Sequence, residues 1–158
     1  MSDQIHPSVP AMWFSFIADH IEHSHTPMPE AYPLGTTKEQ ADTCVLLVKA
    51  GLKTASSGAL AAYLHYQVPI PQKGDLAILT NWEGEAQGIL QTTHVELIPF
   101  DEVDEEYAMK EGEGDQTLSY WKEKHWAFFS KDLASFGEIA EEDMMVVCEE
   151  FELIYQLP

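Results

Sequence analysis

The order in which hydrophobic periodicity changes along the chain limits the fold more than any other feature. Leu76 to Thr80 lies between the turn signals Lys73-Gly74-Asp75 and Glu83-Gly84-Glu85, and reads as a strand returning into a longer one around Gly88 to Ile98. The two pair as a hairpin. Near the C-terminus, Phe151, Leu153 and Tyr155 alternate with less apolar positions, so Val146 to Tyr155 reads as a half-exposed closing strand. Helical periodicity occupies the intervals between these strands. A hairpin plus a separate closing strand, without repeating βαβ units, implies an α+β fold: a small mixed, mainly antiparallel β-barrel with flanking helices.

The helices follow from spacing and caps. Met12, Phe16 and Ile17, widened by Trp13 and Phe14, predict a first helix from Met12 to about His23. Pro27, Pro29 and Pro33 make Thr26 to Leu34 an ordered loop that is neither helix nor central strand. Thr37 three residues before Gln40, and Thr36 three before Glu39, are capping signals for a second helix. Its stripe is Ala41, Cys44, Val45 and Val48, and Gly51 is its expected stop. Asp101 is positioned to cap a short helix through Ala108. After the acidic loop Glu111-Gly112-Glu113-Gly114-Asp115, Leu118, Trp121, His125 and Phe128 share one helical face.

With 158 residues, 45% of them hydrophobic, the chain suits one domain with its own core. Residues 1–11, with Pro7 and Pro10, are expected to form a loosely held arm, and 12–158 the domain. There is no run of roughly 20 apolar residues and no basic, apolar leader, so the expectation is a cytoplasmic protein without a membrane span. Cys44 and Cys148 sit in apolar patterns and read as core residues.

The 27 acidic residues against 8 basic ones give a net charge of −19, and all eight basic residues are lysine. Binding to extended RNA or DNA draws much of its free energy from phosphate neutralisation, with arginine favoured for its bidentate grip. A long polyanion is therefore an unfavourable partner. A nucleoside or single nucleotide carries little of that penalty and is the expected ligand.

The run Gly51-Leu52-Lys53-Thr54-Ala55-Ser56-Ser57 resembles the Gly-x-Lys-Thr-x-Thr signature of ASCH-domain proteins. Pro99 to Val103, Ala108 to Asp115, Tyr120-Trp121 and His125 to Phe129 resemble the later signature of one ASCH branch, in the same order. The resemblance spans about 34 to 155 and implies a PUA-like β-barrel whose lysine motif and acidic loop converge over a cleft. Proteins of this kind are associated with RNA recognition. Some are similar to amidohydrolases that deacylate N4-acylcytidine, and others have been assigned ribonuclease activity. In the amidohydrolase pattern Lys53 is the base, Ser56 the nucleophile and Glu111 the acid. Here Ser replaces Thr at the nucleophile, keeping the hydroxyl but losing the methyl that restricts its rotamer. No cofactor or metal is implied.

Each candidate has a plainer alternative. A neutral lysine can activate a hydroxyl if burial or a cationic neighbour lowers its pKa, whereas a solvated Lys53 merely offsets a helix dipole. In an extended strand Lys53 shares a face with Ser57, not Ser56, so Ser57 competes for the nucleophile role. Either serine can instead make only local hydrogen bonds. Glu113 and Asp115 are expected to raise the pKa of Glu111, or the whole acidic loop is solvated, with Asp115 capping the next helix. Thr54, Ser57, Glu113, Trp82 and His125 complete the ligand-contact candidates. Trp82, at a hairpin tip, is suited to stacking on a base. His125 either lines the cleft or is a hydrogen-bonded core residue, and Trp121 reads as core. The His20, His23 and His25 cluster fits no common zinc spacing.

Overall fold

The computed structural model describes residues 4–157. The first helix, α1, is Ser8–Asp19, beginning four residues before the expected Met12. Proline is tolerated in a first turn, where backbone N–H groups have no helical acceptor, so Pro10 does not delay the helix. Val9, Met12, Trp13 and Phe16 are its buried face. The expected arm therefore loses residues 8–11 to this helix, and its residues 1–3 lie outside the described residues.

Strand β1, Ala31–Tyr32, is a two-residue edge strand inside the proline-rich loop. Helix α2, Lys38–Lys49, starts where Thr37 accepts a hydrogen bond from the Gln40 N–H, and Gln40 reaches back to accept from the Thr36 N–H at 3.0 Å. Gly51 turns the chain with φ +77 into β2, Ala55–Ala59. A short helix that the sequence did not announce, α3, covers Leu60–Tyr66. The hairpin is β3, Leu76–Thr80, and β4, Ala86–Pro99.

Asp104, rather than Asp101, caps the next helix, α4, Glu105–Glu111, by accepting from the Tyr107 N–H at 2.9 Å. Helix α5, Leu118–Ala134, is capped by Thr117, whose own N–H and hydroxyl are held by Asp115. It buries Trp121, His125, Phe129 and Leu133, and the expected Phe128 stands 39% exposed one position off the stripe. The closing strand, β5, is Met145–Tyr155.

The five strands form one sheet in the order β1-β3-β4-β5-β2. All pairings are antiparallel except β1 with β3. The α+β class and the mainly antiparallel sheet match expectation, but the sheet is not closed: β1 and β2 are its edges and do not pair. The core is split by the sheet. Val45 and Val48 of α2 pack on Leu79, Leu90 and Phe151, whereas α1 packs on Ile78 and Ile89. Alternation along β3 puts Ile78 and Leu79 on opposite faces, so the two helices sandwich that end of the sheet. Helices α4 and α5 cover Ala55, Ala59, Val146 and Cys148 at the other end. Among the described residues no helix is long and apolar enough to cross a membrane.

A folded chain of net charge −19 repels itself, and its exposed carboxylates lie within a screening length of one another. Raising sodium chloride from about 0.01 M to about 0.15 M, which shortens the Debye length from roughly 30 Å to about 8 Å, is expected to raise the melting temperature at pH 7. Calorimetry checks this.

Candidate functional site

Lys53 follows the C-terminal turn of α2, where its backbone N–H donates to the Leu47 carbonyl at 3.1 Å. The chain then crosses towards α4: the Thr54 N–H donates to the Lys110 carbonyl at 2.7 Å, and the Thr54 carbonyl accepts from the Phe151 N–H at 2.9 Å. Thr54 is thus a backbone anchor. These ties drive the Lys53 side chain inward until it is 2% exposed.

Its ammonium donates to Glu111 Oε1 at 3.2 Å, to the Glu111 carbonyl at 3.2 Å and to Glu113 Oε2 at 3.0 Å. Glu111, also 2% exposed, is the last residue of α4. Gly112 ends that helix at φ +70, with its Cα so close to β2's approach that an added Cβ would lie 2.2 Å from the Leu52 carbonyl oxygen. Only glycine meets both demands.

The second Glu111 oxygen, Oε2, accepts from the Trp121 indole N–H at 2.6 Å and the Ser57 hydroxyl at 2.5 Å, with His125 Nε2 at 3.1 Å. His125 stacks on Trp121 at 4.3 Å, and its Nδ1 lies 2.9 Å from the Trp121 carbonyl. The Tyr107 hydroxyl donates to the Ser56 carbonyl at 2.9 Å and lies 2.8 Å from Ser57 Oγ. Glu113 bridges two cations, since its Oε1 accepts from Lys124 at 2.6 Å. The space left beside Glu111, Trp121 and His125 is about 10 Å³, room for one water at most.

Burial alone would lower the Lys53 pKa, but Glu111 and Glu113 outweigh it and hold the value above the ordinary lysine range. Lys53 is a cation and has no proton-accepting lone pair at neutral pH. The expectation of a neutral base is therefore corrected: its close neighbours are carboxylates rather than other cations. Burial alone would likewise raise Glu111, yet Lys53 and His125, helped by the Ser57 hydroxyl, hold it well below the ordinary carboxylate range. The expected upward push from Glu113 and Asp115 does not operate. Glu113 is itself neutralised by Lys53 and Lys124, and Asp115 is exposed and engaged by Thr117.

The structure thus brings together Lys53, Ser57, Glu111, Glu113 and His125, and leaves out Ser56. Strand alternation in β2 puts Ser57 with Glu111 and turns Ser56 to the opposite face. Trp82, 45% exposed at the β3–β4 turn, has its backbone N–H bound to Asp42 and contacts none of these groups. His20 lies against Phe16, and His23 Nδ1 is 3.3 Å from the Thr26 hydroxyl. Among the described residues no group of three or more His, Cys, Asp or Glu side chains is placed to hold a metal ion.

Ser56 instead lines an open cleft of about 910 Å³ on the other face of the sheet. Every strand contributes to it: Tyr32 from β1, Ala77 from β3, Thr92 from β4, Glu149 from β5 and Ser56 from β2, with Tyr63 from α3. Because both edge strands wall one cleft, the sheet curls towards closure and leaves the cleft as its mouth. Glu149 faces Ser56 directly across the β2–β5 ladder, and its Oε2 accepts from the Thr92 hydroxyl at 2.7 Å. Burial and Asp75 raise the Glu149 pKa despite that bond. Burial and the Glu149 carboxyl raise Tyr32 and Tyr63, the latter to about 12, so both phenols keep their protons. No lysine lines the cleft. The sequence carried one signal for it: Glu149 falls in phase with Phe151 and Leu153 on the inward face of β5.

A family model described as ASCH domain matches residues 30–155. The chain belongs to the ASCH domain family. The crystal structure of an ASCH domain from Lactobacillus crispatus JV V101 superposes with a TM-score of 0.90 at 29% identity, covering 98% of each chain. A crystal structure of an Enterococcus faecalis V583 protein superposes with a TM-score of 0.86 at 31% identity, covering 93% of this chain and 88% of that one. No curated protein matches the chain. These likenesses support the PUA-like fold of this ASCH domain.

Removing Lys53 leaves the buried Glu111 carboxylate without its lysine cation, so Lys53→Met is expected to cost about 3–5 kcal/mol, with a large part recovered in Lys53→Met/Glu111→Gln. Urea unfolding of the four-member cycle measures it. The pH dependence has a definite sign. Glu111, with its depressed folded pKa, contributes stability that is complete above the unfolded value near ~4.3 and is lost as pH falls through the folded value. Lys53, with its raised folded pKa, contributes stability below about 10.4 that is lost as pH rises through its folded value. In the Lys53→Met/Glu111→Gln protein both losses should shrink, as melting temperature against pH would show.

Proposed function

We propose that this ASCH domain binds a nucleoside-sized ligand without a phosphate chain, and that the ligand occupies the cleft over the sheet. The observation that carries this reading is the contrast in space. The cleft offers about 910 Å³, within the range of small-ligand sites, whereas the space beside Glu111 is about 10 Å³, and the hollow of about 360 Å³ that Glu113 and Lys124 also line is reached by neither Lys53, Ser57 nor Glu111. The cleft has the mixture such sites need: apolar walls from Pro27, Pro69 and Phe151, and convergent polar groups at Ser56, Tyr63, Thr92 and Glu149. Lacking lysine and carrying carboxylates, it disfavours phosphates, in line with the net charge of −19. On this reading Lys53 and Glu111 act as the rigid support behind β2.

N4-acylcytidine deacylation is the second reading, and one contact favours it. Ser57 Oγ lies 2.5 Å from a carboxylate whose other oxygen binds Lys53, which is a hydroxyl, carboxylate and lysine in one place. Two facts weigh against it: a carboxylate held so far below its ordinary range is a weak base, and an acyl group has no space there.

Titration calorimetry with cytidine, N4-acetylcytidine and a single-stranded RNA oligomer at about 0.15 M salt separates these readings. The nucleosides should bind without turnover, the oligomer should not bind, and Ser56→Tyr, which projects a ring into the cleft from β2, should weaken nucleoside binding strongly while leaving the melting temperature nearly unchanged. Undiminished nucleoside binding by Ser56→Tyr would sink the cleft reading. Deacylation lost in both Lys53→Ala and Ser57→Ala, where each remains folded, would favour the second.

A further inference from the structure

The cleft is electrostatically one-sided. Glu30, Asp75 and Glu149 line it without a single lysine, and His23 is the only basic side chain on its wall. Two phenols line it from the two edges of the sheet, Tyr32 on β1 and Tyr63 on α3, which follows β2. The Tyr63 ring can approach β2 because Gly58 has no side chain: a Cβ there would lie 2.8 Å from the ring edge. Glu149 is held at one oxygen, Oε2, by the Thr92 hydroxyl at 2.7 Å, and among the described residues no lysine pairs with it.

We infer that the cleft selects a positively charged heteroaromatic base, with Glu149 as its counter-ion and Tyr32 and Tyr63 as the electron-rich surfaces against it. The inference rests on the cleft being the ligand site and adds the charge of the ligand. Three physical arguments support it. A carboxyl set among apolar walls and a second acidic group lacks a cation, and a cationic ligand supplies one. Aromatic faces attract delocalised cations, and both Tyr63 and the 39% exposed Tyr32 line the cleft. A neutral base would leave Glu149 and Asp75 uncompensated, whereas a phosphorylated ligand would add to their repulsion.

A ring-methylated nucleoside that is cationic at pH 7 is the probe that isolates this property. Binding of 1-methyladenosine and of adenosine should be compared by titration calorimetry at pH 7 and low salt, using the full chain. The wild type is expected to prefer the cationic nucleoside at least about tenfold, the size of a partly desolvated cation–aromatic contact. Glu149→Gln keeps an acceptor for Thr92 and should reduce that preference several-fold, leaving the part that the aromatic faces contribute. Tyr63→Leu should weaken the preference separately, with melting temperatures confirming that both variants are folded. Equal binding of the two nucleosides by the wild type, or an undiminished preference in Glu149→Gln, would overturn the inference and leave the cleft reading intact. Failure of every nucleoside to bind would overturn both.

Discussion

The structure depends on one buried ammonium being neutralised. Lys53 arrives from the end of α2 and Glu111 from the end of α4, 58 residues apart, and neither can be buried without the other. An uncompensated charge in such a place costs several kcal/mol, which is more than a small domain can spare from its net stability. The consequence is positional. Satisfying Lys53 requires the Glu111 carboxylate and carbonyl together with Glu113, and this fixes where α4 ends and where the acidic loop begins. Gly112 then follows by sterics, because the same approach leaves no room for a side chain against Leu52. Trp121, His125 and Ser57 complete the shell on Glu111 Oε2, so β2, α4 and α5 meet on one carboxylate.

How much of this could be read in advance varies with the range of the interaction. Local signals performed well: the Thr37 cap and the Gly51 turn belong to a few adjacent residues, and the hairpin follows from two turn motifs. Strand alternation also foresaw that Lys53 and Ser57 share a face, which the family spacing, pointing to Ser56, did not. Signals failed where a distant residue decides. The sequence neighbours of Glu111 are acidic and suggest a raised pKa, but the Lys53 ammonium is the nearer charge in space and, with the hydrogen bonds on Oε2, reverses the sign. The open sheet was illegible for a related reason. Closure depends on whether a two-residue β1 inside a proline-rich loop can meet β2, and no local pattern encodes that meeting.

That failure to close is also what makes room for a ligand. Had β1 and β2 paired, the inward side chains of all five strands would have filled the interior of a small barrel, as they do in closed sheets of this size. With the edges apart, the space between them is a cleft whose lining is drawn from every strand and therefore has no contiguous motif. Glu149 shows the difficulty: a glutamate between Cys148 and Glu150 looks like part of an acidic surface, and only its phase with Phe151 marks it as inward. The motif residues, in contrast, are contiguous and conspicuous, and they build the wall behind the cleft.

The uneven distribution of the few positive charges completes the argument. Lys53 and Lys124 are used against Glu111 and Glu113 inside the fold, Lys38 binds Asp42 and Glu83, and Lys110 binds Glu150. Five of the eight lysines are thereby named once Lys49 is added, whose ammonium donates to Gln87. None of these reaches the cleft. A domain that recognised phosphate in this cleft would need cations directed at the ligand, and here four of the eight lysines are bound to the protein's own carboxylates and none lines the cleft. The excess acid is left for solvent and for the cleft, so the potential at the mouth of the sheet is negative by construction. What enters must tolerate that field or be drawn by it, and this constraint comes from the placement of charge rather than from any catalytic motif.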